Sequence, residues 1–346
     1  MLRSTGYAAY AAKGPLDAFD FGRRDPGEED VVIDVLYCGI CHSDLHNVDE
    51  GAGTRTYPLV PGHEIIGQVR SVGRKVGKFR IGDTVAIGCM IDSCRHCSKC
   101  QAGRENLCEE KPTYTYGGVD RKTGLMNYGG YSNNYVVNQD FLLSVPQSLD
   151  LAPAAPLLCA GITVYSPLRR WVRPGQRIGI VGMGGLGHVA IKVARALGVE
   201  VTVFTTSENK KEDALSFGAH EALVSTDTKQ LSRLKSSLDF ILDTVSAQHD
   251  INLFLDLLKV EGVMCLLGVP HELFGLAPKS IIAGHKALVG SVIGGIPETQ
   301  EMLNFCGEHH IAATIELMPA RDINKAYDRL RKNDVRYRFV LDMKAN

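Results

Sequence analysis

RIGIVGMGGLGHVAIKVARALGVEVTVF, residues 177–204, runs from an apolar β-branched stretch through a glycine-rich loop into a helix-like segment and back to an alternating apolar run. Its loop, Gly182-Met183-Gly184-Gly185-Leu186-Gly187, has the spacing G-x-G-x-x-G. The first glycine permits a tight turn, the second the approach of a pyrophosphate, and the third close packing of helix on strand. The phosphates then lie on the N-terminus of that helix. Any glycine-rich turn matches the spacing by chance often enough. Here strand, loop, helix and next strand come in the required order, so the stretch predicts a dinucleotide site that includes Gly182, Gly184, Gly185, Leu186 and Gly187.

An NAD site places Asp or Glu on the ribose hydroxyls ~20 residues further on. This chain reads Phe204-Thr205-Thr206-Ser207 there, with Lys210 and Lys211 one turn later. Hydroxyls and an ammonium suit a 2′-phosphate, which a carboxylate would repel. NADP(H) is therefore expected on Thr206, Ser207 and Lys211. The competing reading makes Thr206 or Ser207 a helix cap and leaves the lysines in solvent.

Outward from this stretch, LDFILD and VMCLLG continue the strand–helix alternation of an α/β doubly wound parallel sheet. Upstream of about residue 150, short alternating runs such as VVIDVLY (31–37) and TVAIG (84–88) lie between Gly, Pro and Asp breaks, as in a loop-rich β domain. After residue 297, helix-like ETQEMLNFCGE and INKAYDRLRKN precede strand-like RYRFVLDM, which could return to the first domain.

At 346 residues the chain can hold two cores of ordinary size. Lys+Arg at 38 against Asp+Glu at 39 leaves no net basic charge for a nucleic-acid partner. The opening MLRSTGYAAYAAKG lacks a signal-peptide apolar core, and no apolar run reaches the ~18 residues of a membrane span. A cytoplasmic protein with no membrane partner is expected, so its ten cysteines should stay reduced and clustered ones should bind metal.

Cys94, Cys97, Cys100 and Cys108 stand in a C-x2-C-x2-C-x7-C spacing. Four thiolates close a tetrahedral zinc site and leave no open position, so a zinc there is structural. An iron–sulfur cluster also uses short cysteine spacings. A catalytic zinc needs three protein ligands and one open position. Outside the lobe the candidates are few: Cys41 in CGICHSDLH (38–46), His63 in PGHE beside Glu64, and Cys159 after PLL. Taken singly, each could equally be a core thiol or a solvated loop histidine.

Together with YPLVPGHEIIG, GGYS, PLLCAGITVYSPL, GMGGLGH, TTSENKK and NDVRYRF, these motifs make the chain resemble the zinc-dependent medium-chain alcohol dehydrogenases, in the cinnamyl alcohol dehydrogenase-like branch of NADP(H)-dependent aldehyde reductases. The resemblance covers nearly the whole chain. It implies a GroES-like catalytic domain from residues 1–155 and 297–346, a Rossmann-type domain from 156–296, and a catalytic zinc in the cleft between them. It also implies two Zn2+ per subunit and a homodimer formed through the nucleotide-binding sheets.

Carried over residue by residue, the family pattern makes Cys41, His63 and Cys159 ligands of the catalytic zinc, with Glu64 adjacent and able to approach the metal. Asp44 orients the His63 ring, Ser43 touches the substrate oxygen, and His46 is the solvent end of a proton relay. His42 lies near the coenzyme phosphates, while Thr163, Ser291 and Ile293 lie near the nicotinamide. Cys38 packs in the core. Cys89 and Tyr114 line the acyl side of the pocket. The loop 47–57 lacks the tryptophan many relatives carry, which weakens an expectation of aromatic aldehydes; the only Trp is Trp171.

The implied activity is hydride transfer between NADP(H) and a primary alcohol or aldehyde, mainly as aldehyde reduction. Its rivals are a zinc-free quinone or enoyl reductase and a nonenzymatic NADPH-binding zinc protein.

Overall fold

The structure is a computed structural model that describes residues 1–49, 56–270, 272, 273 and 275–345. The chain divides into two units, Met1–Cys159 with Gly294–Asn346, and Ala160–Ile293.

The second unit is built on one six-stranded parallel sheet. Its strands run in the order Glu221–Val224, Glu200–Thr205, Arg177–Val181, Leu238–Asp243, Leu258–Leu266, Ala287–Gly290. In chain order that is 3-2-1-4-5-6, so direction reverses beside Arg177–Val181, where dinucleotides bind such sheets. The helix Gly187–Ala196 follows that strand and buries Val189, Ala190, Ile191, Val193 and Ala194. Gly198, at φ +77, stops it in the left-handed conformation that glycine tolerates best. Gly182 has φ +96, and a Cβ on Gly187 would lie 2.0 Å from the Gly182 carbonyl oxygen. Both glycines are thus fixed by sterics, while a Cβ on Gly184 would meet nothing within 4 Å.

In the first unit a mixed sheet runs Ile315–Pro319, Arg338–Asp342, Asp30–Ile40, Ile65–Val72, Thr84–Ile87, Leu143–Ser144, with Asn134–Asn138 also pairing Asp30–Ile40. The C-terminal strand pairs antiparallel with Asp30–Ile40, setting Leu341 opposite Cys38 and Phe339 opposite Ile40. DVVIDVLYCGI is buried along nearly its whole length, consistent with a mostly apolar composition broken by Asp30 and Asp34. It delivers the chain to Cys41, and the helix His42–Asp49 begins at once. Asp44 in the first turn accepts from the Cys41 backbone N–H at 3.0 Å, the reach-back of a capping box. That bond sets the angle between strand end and helix, and so where the Cys41 sulfur points.

Candidate functional site

Cys41, His63, Glu64 and Cys159 each offer a ligand atom, and these atoms lie within 4.8 Å of one another. Three different elements bring them there. Cys41 ends the long central strand, His63 and Glu64 lead into the strand Ile65–Val72, and Cys159 closes the 3-10 turn Ala155–Leu158. The Cys41 and Cys159 sulfurs are 3.9 Å apart. Two sulfurs of a tetrahedral zinc site, each ~2.3 Å from the metal, stand ~3.8 Å apart. The hydrogen bond between them holds the Cys41 thiol well below its ordinary range and pushes Cys159 well above. A dication removes that conflict by charging both sulfurs.

Asp44 is fully buried and, among the described residues, collects four donors. Its Oδ1 stands 2.9 Å from His63 Nδ1 and accepts from the Gly62 N–H at 3.1 Å. Its Oδ2 accepts from the Cys41 N–H and from the Tyr131 hydroxyl, both at 3.0 Å. Burial disfavours protonation of His63, but the Asp44 charge outweighs it and raises the imidazole well above its usual range. With Nδ1 engaged, Nε2 is the ring nitrogen left for a metal.

Behind the cluster, Arg338 donates through Nη2 to Glu64 Oε1 and to the Ile40 carbonyl. Burial pushes the Glu64 carboxyl up to about 8 against the pull of Arg338. Its Oε2 is buried and has no hydrogen-bond partner among the described residues. A buried carboxyl beside two thiols and an imidazole, with one oxygen left without a donor, fits a cation site. The donor set therefore suits zinc.

The four-cysteine group is a second cluster, again with all ligand atoms within 4.8 Å. Cys94 and Cys97 lie 3.8 and 3.5 Å from Cys100, sulfur to sulfur. The Cys94 N–H points at Cys108 Sγ and the Cys97 N–H at Cys94 Sγ, both at 3.4 Å. Amides aimed at sulfurs favour thiolates, so these residues too fit a metal.

Around the first cluster, Ser43 is exposed, with Oγ 3.6 Å from Cys41 Sγ, and Asn47 Nδ2 donates to its carbonyl at 2.7 Å. His46 is half-buried on the same helix, its ring 6.5 Å from the exposed His42. Cys89 Sγ lies 3.7 Å from the Leu158 carbonyl, and its hydrogen bond with Cys159 lowers its thiol. Tyr114 is half-exposed; the ring beside His63 is that of buried Tyr116, 5.9 Å between centroids. Of the loop 47–57, residues 50–55 lie outside the described residues.

In the second unit, Thr206 and Ser207 follow the strand Glu200–Thr205, next to the strand that carries the glycine loop. Ser207 starts a 3-10 turn but makes no side-chain cap bond. Lys211 Nζ pairs with exposed Glu208 at 2.9 Å. Thr163 is half-buried in the helix Ala160–Trp171; Ser291 and Ile293 follow the edge strand, Ile293 at φ +35.

Sequence reasoning missed Tyr116, Tyr131 and Arg338. GGYS and RYRF were visible as motifs, but nothing in them says that Tyr131 meets Asp44, or that Arg338 meets a carboxylate 274 positions away.

A doubly wound sheet with a glycine loop, joined in one chain to a sulfur–imidazole metal site, is the equipment of a metal-dependent oxidoreductase. The alcohol dehydrogenase GroES-like domain matches residues 27–147 and the zinc-binding dehydrogenase domain matches residues 185–308. The aldehyde reductase YahK of Escherichia coli is 50% identical over 351 residues, covering 99% of this chain and 98% of that protein. A cinnamyl alcohol dehydrogenase structure from Sorghum bicolor is 46% identical with a TM-score of 0.96, covering 99% of this chain and 98% of that one. The Helicobacter pylori enzyme solved with NADP(H) is 42% identical with a TM-score of 0.93, covering 99% of both chains. The chain belongs to the zinc-binding medium-chain alcohol dehydrogenases, in their cinnamyl alcohol dehydrogenase-like branch. It is an alcohol/aldehyde oxidoreductase.

Proposed function

We propose that this protein reduces aldehydes to primary alcohols with NADPH, using Cys41, His63 and Cys159 to hold a catalytic zinc. Cys94, Cys97, Cys100 and Cys108 hold a structural one. The observation that carries this reading is the buried convergence of Cys41, His63, Glu64 and Cys159 within 4.8 Å. Zinc bound there supplies a Lewis acid to the carbonyl oxygen, and NADPH supplies the hydride.

The chain's own residues do the rest. Asp44 holds His63 in the tautomer that presents Nε2. Ser43, on the exposed first turn, supplies the proton that the product oxygen takes up, and His46 replaces it from solvent. Glu64, anchored through Oε1 by Arg338, stays adjacent to the ligand cluster and able to approach the metal. Gly182, Gly184, Gly185, Leu186 and Gly187 receive the pyrophosphate, with Thr206, Ser207 and Lys211 on the 2′-phosphate. His42 serves the phosphates; Thr163, Ser291 and Ile293 orient the nicotinamide. The catalytic domain is 1–155 with 297–346, and 156–296 binds the coenzyme.

The enzyme is a cytoplasmic homodimer. Among the described residues no single helix is long and apolar enough to cross a membrane. The strand Ala287–Gly290 ends its sheet, which supports pairing through that edge.

Zinc analysis with an aldehyde-dependent NADPH oxidation assay tests the reading. Wild type is expected to hold two zincs, and Cys159→Ser one, with aldehyde reduction abolished. A Cys159→Ser protein that keeps wild-type turnover would overturn it. Rates over aliphatic, aromatic and cinnamyl aldehydes then define the substrate.

A further inference from the structure

We infer that Tyr131 is a positioning residue for the catalytic metal: its hydroxyl fixes the Asp44 carboxylate and, through it, the ring of His63. The inference rests on the reading of Cys41, His63 and Cys159 as metal ligands, and adds a residue two contacts away from the ion.

The four donors to Asp44 divide evenly, two on each oxygen. His63 and Gly62 serve Oδ1, while Cys41 N–H and Tyr131 serve Oδ2. Three of the four belong to the ligands or their immediate neighbours, so they move with the site. Of these four, Tyr131 is the one from outside the ligand segments, 87 positions along the chain. The other three hold the carboxylate to the segments that carry the ligands themselves.

Tyr131 itself is closely packed. Both Tyr131 and Asp44 are fully buried. The Tyr131 N–H donates to the Pro61 carbonyl at 3.0 Å and its own carbonyl accepts from the Tyr7 N–H at 2.9 Å, tying its backbone to the loop that carries His63. Its ring stands edge-on to Tyr327, centroids 6.4 Å apart at 81°. Gly62 passes so close that a Cβ there would lie 2.7 Å from Tyr131 Cδ1. The phenol thus has one place for its oxygen, and against an ionised carboxylate it can only donate.

A ligating histidine presents the correct nitrogen because its other N–H is held by an oriented acceptor, and loss of such outer partners lowers metal affinity 10- to 100-fold. Removing the Tyr131 hydroxyl leaves Oδ2 with one donor and lets the carboxylate turn. The four-cysteine lobe, in the same chain, is the internal reference.

Zinc release from the purified holoprotein into 4-(2-pyridylazo)resorcinol is followed for wild type, Tyr131→Phe and Tyr131→Leu, with Cys159→Ser used to identify the phase that belongs to the four-cysteine lobe. Tyr131→Phe keeps the ring and is expected to release zinc from the Cys41–His63–Cys159 site about 10-fold faster. The four-cysteine phase stays at its wild-type rate, and Tyr131→Leu is at least as fast as Phe at the first site. Wild-type release from Tyr131→Phe, with acceleration only in Tyr131→Leu, would assign Tyr131 to packing and overturn the inference. Equal acceleration of both phases by Tyr131→Phe would also overturn it, as general loosening. If wild type shows a single zinc phase that Cys159→Ser leaves unchanged, the metal reading beneath falls, a failure distinct from the other two.

Discussion

At the scale of single residues, a buried carboxylate is stabilised by the donors gathered on its oxygens, and Asp44 and Asp30 in the first unit put that to different uses. Around Asp44 the arrangement serves the site. Around Asp30 it serves stability: Arg24 donates to both Asp30 oxygens and also pairs with Asp120 at 3.0 Å, and the Gly27 N–H caps Asp30 Oδ2 at 2.6 Å. Burial works against the Asp30 carboxylate, but Arg24 and Gly27 together depress its pKa below 3.8. A depressed folded-state pKa gives stability that is fully present above the unfolded value of ~3.9 and is lost as pH falls through the lower folded value. Arg24→Met leaves that charge uncompensated and is expected to cost about 3–5 kcal/mol near neutral pH. Urea unfolding from pH 7 to pH 3.5 checks this: the difference between variant and wild type must shrink toward acid, and a pH-independent difference would refute the assignment. The relay is tested separately. Ser43→Ala is expected to lower turnover about 100-fold at unchanged zinc content; wild-type turnover would eliminate Ser43 as the proton donor.

At the scale of elements, two segments could be read from sequence because their chemistry is local. The strand–loop–helix at 177–196 is set by its own glycines, and the lobe at 94–108 by cysteine spacing, so neither needs a distant partner. The Asp44 network resisted the same reading because a donor to a carboxylate can be any Tyr or backbone N–H, and only the sheet register decides which. Cys41 just after Ile40, Arg338 just before Phe339 and Glu64 just before Ile65 are brought together because the strands they flank pair antiparallel, which no short-range signal encodes. The coenzyme element lies between these cases. Its glycines were legible, but Lys211 is paired with Glu208 rather than poised alone. Such an exposed pair contributes little to stability and opens readily for a phosphate. Lys211→Glu replaces attraction with repulsion at the 2′-phosphate and is expected to cut kcat/KM for NADPH at least 10-fold while leaving that for NADH within a few-fold. Coenzyme titrations of aldehyde reduction measure it, and an unchanged NADPH preference would remove Thr206, Ser207 and Lys211 from the phosphate site.

At the scale of the whole molecule, the distribution of exposed apolar side chains bears on assembly. Val260 is 71% exposed, Val269 81%, Leu273 94% and Ile282 72%, and all lie between residues 258 and 290 in the coenzyme unit. The Glu261 N–H donates to the Gly284 carbonyl at 2.8 Å, which draws together the segments that carry Val260 and Ile282. The strand Ala287–Gly290, at the end of the parallel sheet, has one neighbouring strand and offers its other edge for pairing. Apolar residues exposed beside an unpaired strand edge are what a two-fold interface would bury, since the same patch meets itself across the axis. Placing a like charge on both copies of such an interface sets two carboxylates in a desolvated contact, at a cost of several kcal/mol. For the homodimer proposed above, of about twice the 37.7 kDa chain mass, Val260→Asp combined with Ile282→Asp is therefore expected to give a monomer. Sedimentation equilibrium reads the mass directly, and zinc content shows whether each chain keeps its sites. A double variant that sediments with wild-type mass would exclude this face, and the edge strand with it, as the dimer contact.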